Sequence, residues 1–172
     1  MRRIDSRVVY EGPIAGVRID RFRYPDGSTA ERQVVTHPGA VTIVPVDDES
    51  VWLVRQPREP VAEPDLLELP AGKLDVEGET PLACAQRELA EEIGKSAREW
   101  NELKGFYVSP GLTEERMTVF LARGLEDAEH DPDPEERIEI VPWPLADLDG
   151  AIAACEDSKS LVGLLLLRES LR

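Results

Sequence analysis

One segment, residues 80–94, constrains the fold of this chain more than any other, because both ends of a helix are marked in it. Thr80 is a favourable N-cap residue, and Pro81 suits the first helical position, where its fixed φ and missing N–H are tolerated. Gly94 is the expected C-terminal stop. Between these ends, apolar residues recur at helical spacing: Leu82, Ala85, Leu89 and Ile93. The segment is therefore predicted to be an amphipathic helix that packs one face on a hydrophobic layer.

The same helix carries glutamates at the edge of its apolar face. Glu88 and Glu92 are four residues apart and point the same way, whereas Glu91 lies further toward solvent. Like charges at this spacing repel by roughly a few tenths of a kcal/mol, so a divalent cation is a natural counter-ion. The alternative is an acidic, solvated helix face that Arg87 partly neutralises. The helix alone favours neither interpretation.

Most of the remaining chain alternates between short strand patterns and turn signals. Predicted strands cover residues 8–11, 17–23, 29–35, 41–46, 51–56, 66–69, 99–108, 117–122 and 138–143, and predicted helices cover residues 145–155 and 158–171. Residues 25–28 and 47–50 have the composition of turns, and residues 131–134 mark an acidic loop. Many strands with one early helix and a helical C-terminus predict a mixed α/β layered fold rather than a regular βαβ array.

The chain is strongly acidic, which excludes several kinds of partner. Its 172 residues include 20 Lys and Arg against 35 Asp and Glu, a formal net charge of −15. Such a chain has no general attraction for nucleic acid or for an anionic membrane. A phosphorylated small molecule would also be repelled unless metal ions intervened, and clustered carboxylates can recruit those ions.

Three features bear on the cellular compartment. The longest apolar run, residues 161–167, is far too short to span a bilayer and is predicted to be part of a buried helix. The N-terminus begins with basic residues but has no apolar segment after them, so no secretory signal is expected. Cys84 and Cys155 have no metal-type spacing with His37 or His130 and are expected to be reduced and half-buried. The cytoplasm is the expected location.

The glutamate-bearing helix and the loop before it form a longer signature. Gly72 and Glu79 are followed, after seven residues, by Arg-Glu-Leu-Ala-Glu-Glu-Ile-Gly at 87–94. This pattern resembles the Nudix box, a loop–helix–loop signature of pyrophosphohydrolases. Two departures occur: the spacing from Gly72 to Glu79 is one residue longer than usual, and Lys95 stands at a position that is usually aliphatic. Gly78 can absorb the extra residue in a turn and Lys95 favours the helix dipole, so neither departure touches the glutamates.

The resemblance implies a fold and a metal site. The fold is a Nudix α/β/α sandwich, with a mixed sheet between helices and a small N-terminal antiparallel β segment. Four positions match the family's metal ligands, for Mg²⁺ or alternatively Mn²⁺ in two or three ions: Glu88, Glu91, Glu92 and the backbone carbonyl of Ala71. Glu88 and Glu92 match the principal ligands, and Glu91 a shared ligand that also belongs to the catalytic group. Glu79 and Arg87 match a structural pair that fixes the loop against the helix.

A loop after the box narrows the resemblance to the ADP-ribose pyrophosphatase branch. In Ser-Pro-Gly-Leu-Thr-Glu-Glu, residues 109–115, Pro110 lies 110 − 94 = 16 residues beyond the last glycine of the box. In that branch the glutamate matching Glu115 acts as the base or metal-linked acid, and the adjacent Glu114 is the more exposed alternative. Residues 157–165 are similar to the C-terminal helix of the same branch. A Pro-Gly turn between strands is the plain interpretation of the loop, and it is compatible with the catalytic one.

Candidate substrate contacts follow from the same resemblance. Arg55 matches an arginine placed against the substrate phosphates, and Arg58 is a second candidate. Glu68 is a candidate contact to the substrate or the metal shell, and neither is favoured. The aromatic residues that remain open as adenine contacts are Phe22, Tyr24, Phe106 and Tyr107, while those expected in the core are Trp52, Trp100 and Trp143. His37 and His130 are expected to be bystanders.

The predicted function is Mg²⁺-dependent hydrolysis of ADP-ribose to AMP and ribose 5-phosphate. Because the box serves several substrates, GDP-mannose, another sugar nucleotide, an oxidised nucleotide and a dinucleoside polyphosphate are alternatives. A non-hydrolytic ADP-ribose sensor is a further alternative, although the box glutamates are all present and no basic helix-turn-helix segment is left over. Residues 38–172 are predicted to form the hydrolase domain, and residues 1–37 a β segment through which a homodimer forms.

Overall fold

The computed structural model describes residues 1–13, 15–129 and 137–172. His130 and the predicted acidic loop at 131–134 lie outside the described residues. The described chain forms two compact units: Met1–Gly39 with Tyr107–Arg116, and Ala40–Phe106 with Met117–Arg172. In the part of the chain that the structure describes, no helix is long and apolar enough to cross a membrane.

The first unit contains an antiparallel sheet close to its predicted form. Its strands, in spatial order, are β1 (Arg2–Glu11), β2 (Gly16–Arg23) and β3 (Thr29–Thr36). Gly27 shapes the turn between β2 and β3 with a φ of 84°, which suits glycine. The carboxylate of Asp26 accepts hydrogen bonds from the amide and the hydroxyl of Ser28. The predicted strands and turn are confirmed, although β1 begins at Arg2 rather than Val8.

The second unit is built around a mixed sheet. Its strands are β4 (Ala40–Val46), β5 (Ser50–Arg58), β6 (Glu63–Glu68), β7 (Ala71–Lys73), β8 (Lys95–Tyr107), β9 (Arg116–Asp127) and β10 (Glu139–Pro144). The main order is β10-β5-β4-β9-β8, with β6 paired to β5 and β7 paired to β4. β4 runs parallel to β9 and antiparallel to β5 and β7. The helices are α1 (Pro81–Ile93), α2 (Leu148–Ala154) and α3 (Ser158–Ser170).

Helices cover both faces of this mixed sheet. Because side chains alternate along a strand, Val41 and Ile43 of β4 face one side and Val44 and Val46 face the other. Val41 and Ile43 share a buried core with residues of α1. Val44 and Val46 share a different core with residues of α2 and α3. This arrangement confirms the predicted α/β/α sandwich.

The predicted strands and helices are confirmed with differences of detail. Strand β7 is missing from the predicted strands, because three residues are too few to show an alternating pattern. The predicted helix 145–155 divides into a turn of 3-10 helix, Leu145–Asp147, and the short α2. Leu82, which is predicted to lie on the buried face of α1, is exposed, and Cys84 is buried instead. Cys84 and Cys155 are free thiols as predicted, but buried rather than half-buried, and burial raises the pKa of Cys84 to about 12.

Candidate active site

Helix α1 has the ends that the sequence predicts. The hydroxyl of Thr80 accepts a hydrogen bond of 3.2 Å from the amide of Ala83, which is N-cap geometry. Gly94 adopts a φ of 63°, and its amide donates to the carbonyl of Ala90 at 3.0 Å. These two caps fix where the helix begins and ends, and so they fix the direction in which each glutamate projects.

The glutamates of α1 differ in exposure. Glu92 is 4 % exposed, and its carboxylate accepts a hydrogen bond of 3.3 Å from the amide of Ala71 on β7. The side chain of Glu88 is 14 % exposed and lies so close to Gly72 that a Cβ there would overlap its carboxylate. Glu91 is more open, with 37 % of its side chain exposed. The backbone of β7 therefore adjoins two of the carboxylates, and this close approach requires a glycine.

Arg87 ties the carboxylates together. Its Nε and Nη2 donate to the two oxygens of Glu79 at 2.9 and 3.0 Å, which is the expected loop-to-helix pair. Its Nη1 donates to Glu88 at 2.8 Å and to Glu91 at 2.7 Å. The hydrogen bond from Arg87 lowers the pKa of Glu79. The same hydrogen bond, together with the negative charges of Glu88 and Glu91, raises the pKa of Arg87. Glu79, Arg87, Glu88, Glu91 and Glu92 are called the box cluster below.

The donor chemistry of the box cluster suits a hard divalent cation. Carboxylate and backbone carbonyl oxygens are the ligands that Mg²⁺ prefers, and the cluster offers carboxylates next to the backbone of Ala71, whose amide binds Glu92. Within the described residues, no group of three or more His, Cys, Asp or Glu side chains is arranged to hold a metal ion. One nitrogen of Arg87 binds both Glu88 and Glu91 and supplies positive charge at this place. The residues thus fit a divalent cation by chemistry.

A second charged group lies at the N-terminus of α3. Glu68, at the end of β6, is 1 % exposed, and its oxygens accept hydrogen bonds of 2.6 and 2.7 Å from Nε and Nη2 of Arg58. Lys159 donates to the same carboxylate and also to Asp157, the latter at 2.9 Å. The hydrogen bond to Glu68 raises the pKa of Arg58. Arg58, Glu68, Asp157 and Lys159 are called the α3 cluster below.

Asp157 joins the α3 cluster to the backbone. As the N-cap of α3, its carboxylate accepts hydrogen bonds of 3.0 and 2.6 Å from the amide and the hydroxyl of Ser160. The hydroxyl of Ser160 in turn accepts a 2.7 Å bond from the amide of Leu69, one residue beyond β6. Burial alone would raise the pKa of Asp157, but the charge of Lys159 and the bonds from Ser160 outweigh it and lower the pKa. The network fixes the start of α3 to the end of β6.

The predicted phosphate contacts, Arg55 and Arg58, both lie on β5. Arg55 is partly exposed and donates from Nη1 to the backbone oxygen and the carboxylate of Asp65, each at 3.2 Å. Arg58 also keeps exposed surface although it binds Glu68. Both arginine side chains therefore keep exposed surface, whereas the side chain of Glu68 is enclosed.

Glu114 and Glu115 belong to the first unit, in the loop between β8 and β9. The carboxylate of Glu114 accepts two hydrogen bonds from Arg18, at 2.6 and 2.7 Å. Glu115 is partly buried, its carboxylate lies 3.9 Å from Nδ1 of His37, and its amide donates to the hydroxyl of Thr113 at 3.1 Å. The sequence gives no sign of Arg18, because this partner lies 96 residues from Glu114 along the chain. Nδ1 of His37 accepts a 3.1 Å hydrogen bond from the amide of Gly39, and the expectation that His37 is a bystander stays a prediction.

The tryptophans pack against the cores, as predicted. The indole nitrogen of Trp52 donates to the carboxylate of Asp47 at 2.7 Å. Trp100 lies edge-on to Phe120, with ring centroids 6.4 Å apart. Trp143 packs on the core formed with α2 and α3. These contacts favour a structural role for all three side chains.

Comparison with known proteins decides the affiliation of the chain. The family model described as NUDIX domain matches residues 36–161. The chain belongs to the NUDIX family. The resemblance carried by Gly72, Glu79 and the segment 87–94 is thereby confirmed.

Relatives that match this NUDIX chain over nearly its whole length are named for different activities. An ADP-ribose pyrophosphatase from Bacillus subtilis (strain 168) is 34 % identical over 176 residues, covering 98 % of this chain and 94 % of the relative. A methanol dehydrogenase activator from Bacillus methanolicus is 32 % identical over 179 residues, with the same coverage of the two chains. A solved structure of an ADP compounds hydrolase matches with a TM-score of 0.86 and 25 % identity, over 99 % of this chain and 93 % of that chain.

The two departures of this NUDIX chain from the usual box are accommodated locally. Gly78 has a φ of 81°, and the amide of Glu79 closes a turn with a 3.1 Å hydrogen bond, so the extra residue lies in a loop ahead of α1. Lys95 donates to Asp127 at 2.6 Å, and its ammonium lies 4.8 Å from the centre of the Trp52 ring. Both changes leave the glutamates of α1 in place.

Proposed function

We propose that this protein hydrolyses the diphosphate of ADP-ribose to AMP and ribose 5-phosphate in an Mg²⁺-dependent reaction. Family membership and relatives named ADP-ribose pyrophosphatase and ADP compounds hydrolase support this reaction. The observation that carries the proposal is the box cluster, in which two glutamates of α1 lie beside the backbone of β7 and a third, Glu91, is tied to Glu88 through Arg87. Because the chain has a net charge of −15, an anionic substrate needs a cation to approach the glutamate-bearing face of α1.

The proposed metal ligands are Glu88, Glu91, Glu92 and the backbone carbonyl of Ala71, holding two or three ions, with Mn²⁺ as the alternative to Mg²⁺. When bound, the ions offset the charge of the diphosphate and make its phosphorus easier to attack. Arg87 holds Glu88 and Glu91 side by side against their mutual repulsion. Glu79 anchors Arg87 in turn, which makes the pair a support for the ligands.

Glu115 is proposed to handle the attacking water. Its carboxylate orients the water and accepts its proton while the water oxygen bonds to phosphorus. The bond from that phosphorus to the bridging oxygen breaks, and the leaving phosphate keeps the electron pair. Glu91 is proposed to share in proton handling, because it is an exposed carboxylate next to the principal ligands.

Arg55 and Arg58 are proposed to contact the substrate phosphates. A guanidinium fork matches phosphate oxygens, and both side chains keep exposed surface on the same strand. Glu68 is proposed to take part through Arg58, since its carboxylate is enclosed and accepts two hydrogen bonds from that guanidinium. A rigid arginine binds phosphate better than a mobile one, because less side-chain entropy is lost.

A homodimer in the cytoplasm is also proposed, with residues 1–37 at the interface. The edge strand β1 exposes Val8, Val9 and Tyr10. A second copy would cover these apolar side chains and the unpaired strand edge. The free thiols of Cys84 and Cys155 are compatible with a reducing compartment.

The test is to incubate the protein with ADP-ribose and Mg²⁺ and to identify the products by chromatography. Equal amounts of AMP and ribose 5-phosphate are expected, with none in EDTA. GDP-mannose, an oxidised nucleotide and a dinucleoside polyphosphate in the same panel rank the alternative substrates. The Glu92→Gln protein, purified in parallel, is the control for a contaminating hydrolase. Binding of ADP-ribose without any product would contradict the proposal and favour the sensor.

A further inference from the structure

The loop that carries Glu115 is fastened to β3 within the first unit. The amide of Val35 donates to the carbonyl of Leu112 at 2.9 Å, and the amide of Glu114 donates to the carbonyl of Val35 at 3.2 Å. The hydroxyl of Thr113 donates to that same carbonyl at 3.1 Å. These bonds fix the loop backbone up to the residue before Glu115.

Strand β2 supplies a buried anion near the start of this arrangement. Asp20 is 1 % exposed, and its carboxylate oxygens accept bonds of 3.1 and 3.0 Å from Nε of Arg18. Ser6 and Arg3 donate to it at 2.7 and 3.3 Å. Burial alone would raise the pKa of Asp20, but these hydrogen bonds outweigh it and lower the pKa. Asp20 is therefore a fixed negative charge that holds one side of the Arg18 guanidinium.

Arg18 connects this buried anion to the loop. While Nε faces Asp20, Nη1 and Nη2 donate to the two oxygens of Glu114 at 2.6 and 2.7 Å. The bond to Glu114 raises the pKa of Arg18, and Arg18 lowers the pKa of Glu114. Pairing of the sheet does not need this contact, because β2 already has β1 and β3 on its two sides. The fork holds an exposed glutamate in one direction, at the position next to Glu115.

We infer that Arg18, held by Asp20, is a positioning residue for the base Glu115 and acts through Glu114. The inference rests on the proposed function of Glu115. A carboxylate that takes a proton from an attacking water must be held accurately, since a misplacement of about 1 Å can cost roughly 10²-fold in rate. The hydrogen bonds to β3 hold the backbone of the loop, and the Arg18–Glu114 fork holds the side chain of the residue next to Glu115.

The experiment compares ADP-ribose turnover by Arg18→Met, Arg18→Lys, Glu114→Gln and Glu115→Gln in the full-length protein. Arg21→Met is the matched control, because Arg21 is an exposed arginine on the same strand. Arg18→Met and Glu114→Gln are expected to lower kcat roughly 10-fold with KM changed less than about 2-fold, and Arg18→Lys to recover part of the loss. Glu115→Gln is expected to lower kcat by roughly 10²–10⁴-fold. Glu114→Gln tests the same contact if Arg18→Met fails to fold, because it keeps the bond between Arg18 and Asp20.

The decisive comparison places Arg18→Met in the Glu115→Gln background. If Arg18 acts through Glu115, the double variant turns over as fast as Glu115→Gln alone, within about 2-fold. A further 10-fold loss there, or an unchanged kcat in both Arg18→Met and Glu114→Gln, would overturn the positioning role while leaving the function of Glu115 intact. An unchanged kcat in Glu115→Gln would overturn the proposed base itself and the positioning role with it.

Discussion

The box cluster and the α3 cluster are built from the same kinds of side chain but differ in charge balance. The box cluster combines four glutamates with one arginine, a sum of 1 − 4 = −3 for these five residues. The α3 cluster combines two cations with two carboxylates, a sum of 2 − 2 = 0. Each cluster contains both a buried carboxylate, Glu92 or Glu68, and a partly exposed side chain, so charge rather than burial separates them.

The negative charge of the box cluster can recruit cations, whereas the balanced charge of the α3 cluster stabilises the fold. Excess carboxylates that share a helix face are stabilised by an added cation. A balanced set has its counter-charges already, and removing one member leaves a charge without its partner. We therefore expect substitutions in the box cluster to remove activity, and substitutions of Glu68 or Asp157 in the α3 cluster to act mainly on stability.

Glu92→Gln should give the largest effect. Glutamine keeps the shape of the side chain but loses the charge that is proposed to bind a cation, so kcat/KM for ADP-ribose is expected to fall by roughly 10²–10³-fold at saturating Mg²⁺. The circular dichroism spectrum and the melting temperature in EDTA should stay close to those of the unaltered protein. Near-native turnover would show that Glu92 is not one of the proposed metal ligands and would contradict the expected difference between the two clusters.

Glu68→Gln should act mainly on stability. The change leaves Arg58 and Lys159 without their shared anion, which costs about 3–5 kcal/mol for a fully buried pair. Because Arg58 keeps exposed surface, the expected loss is about 2 kcal/mol in the free energy of unfolding, read from urea titrations by tryptophan fluorescence. Glu99→Gln, at an exposed glutamate of β8, is the control. A variant as stable as the control would show that the α3 cluster does not fix α3.

Asp157→Asn should give the smallest effect, and one that depends on pH. Asparagine can still cap α3, so the loss at pH 7 is about 1 kcal/mol, the value of a partly exposed ion pair. The pKa of Asp157 in the folded protein lies below the ordinary aspartate value of 3.8, so its contribution is full above that pH and is lost as pH falls through the folded pKa. The two unfolding curves should therefore converge as the pH falls below 3.8 and through the folded pKa. The neighbouring Glu156→Gln, at an exposed side chain, should show no such convergence.

Local signals explain what the sequence predicts correctly. The caps at Thr80 and Gly94, with apolar residues at helical spacing, locate α1 and therefore the glutamates along it. The alternating patterns of β2 and β3 and the turn signal at Gly27 likewise lie within one short segment of the sequence. In these elements, neighbouring residues carry all the information that the local structure requires.

Long-range pairs explain what the sequence cannot reveal. Lys159 meets Glu68 across 91 residues, and Arg18 meets Glu114 across 96. Each pair forms only after distant segments have packed, and a single arginine or lysine in a strand or helix gives no sign of its partner. The charge balance of the α3 cluster, and so the enclosed state of Glu68, follows from the tertiary fold alone.

The most direct test of the central claim is a titration with Mn²⁺, with free ion measured by electron paramagnetic resonance. The unaltered protein is expected to bind Mn²⁺ without substrate. Glu92→Gln is expected to weaken this affinity by about 10-fold or more, and Glu68→Gln to leave it within about 2-fold. Equal affinity in the unaltered protein and Glu92→Gln, or a loss in Glu68→Gln alone, would contradict the assignment of the divalent cation to the box cluster.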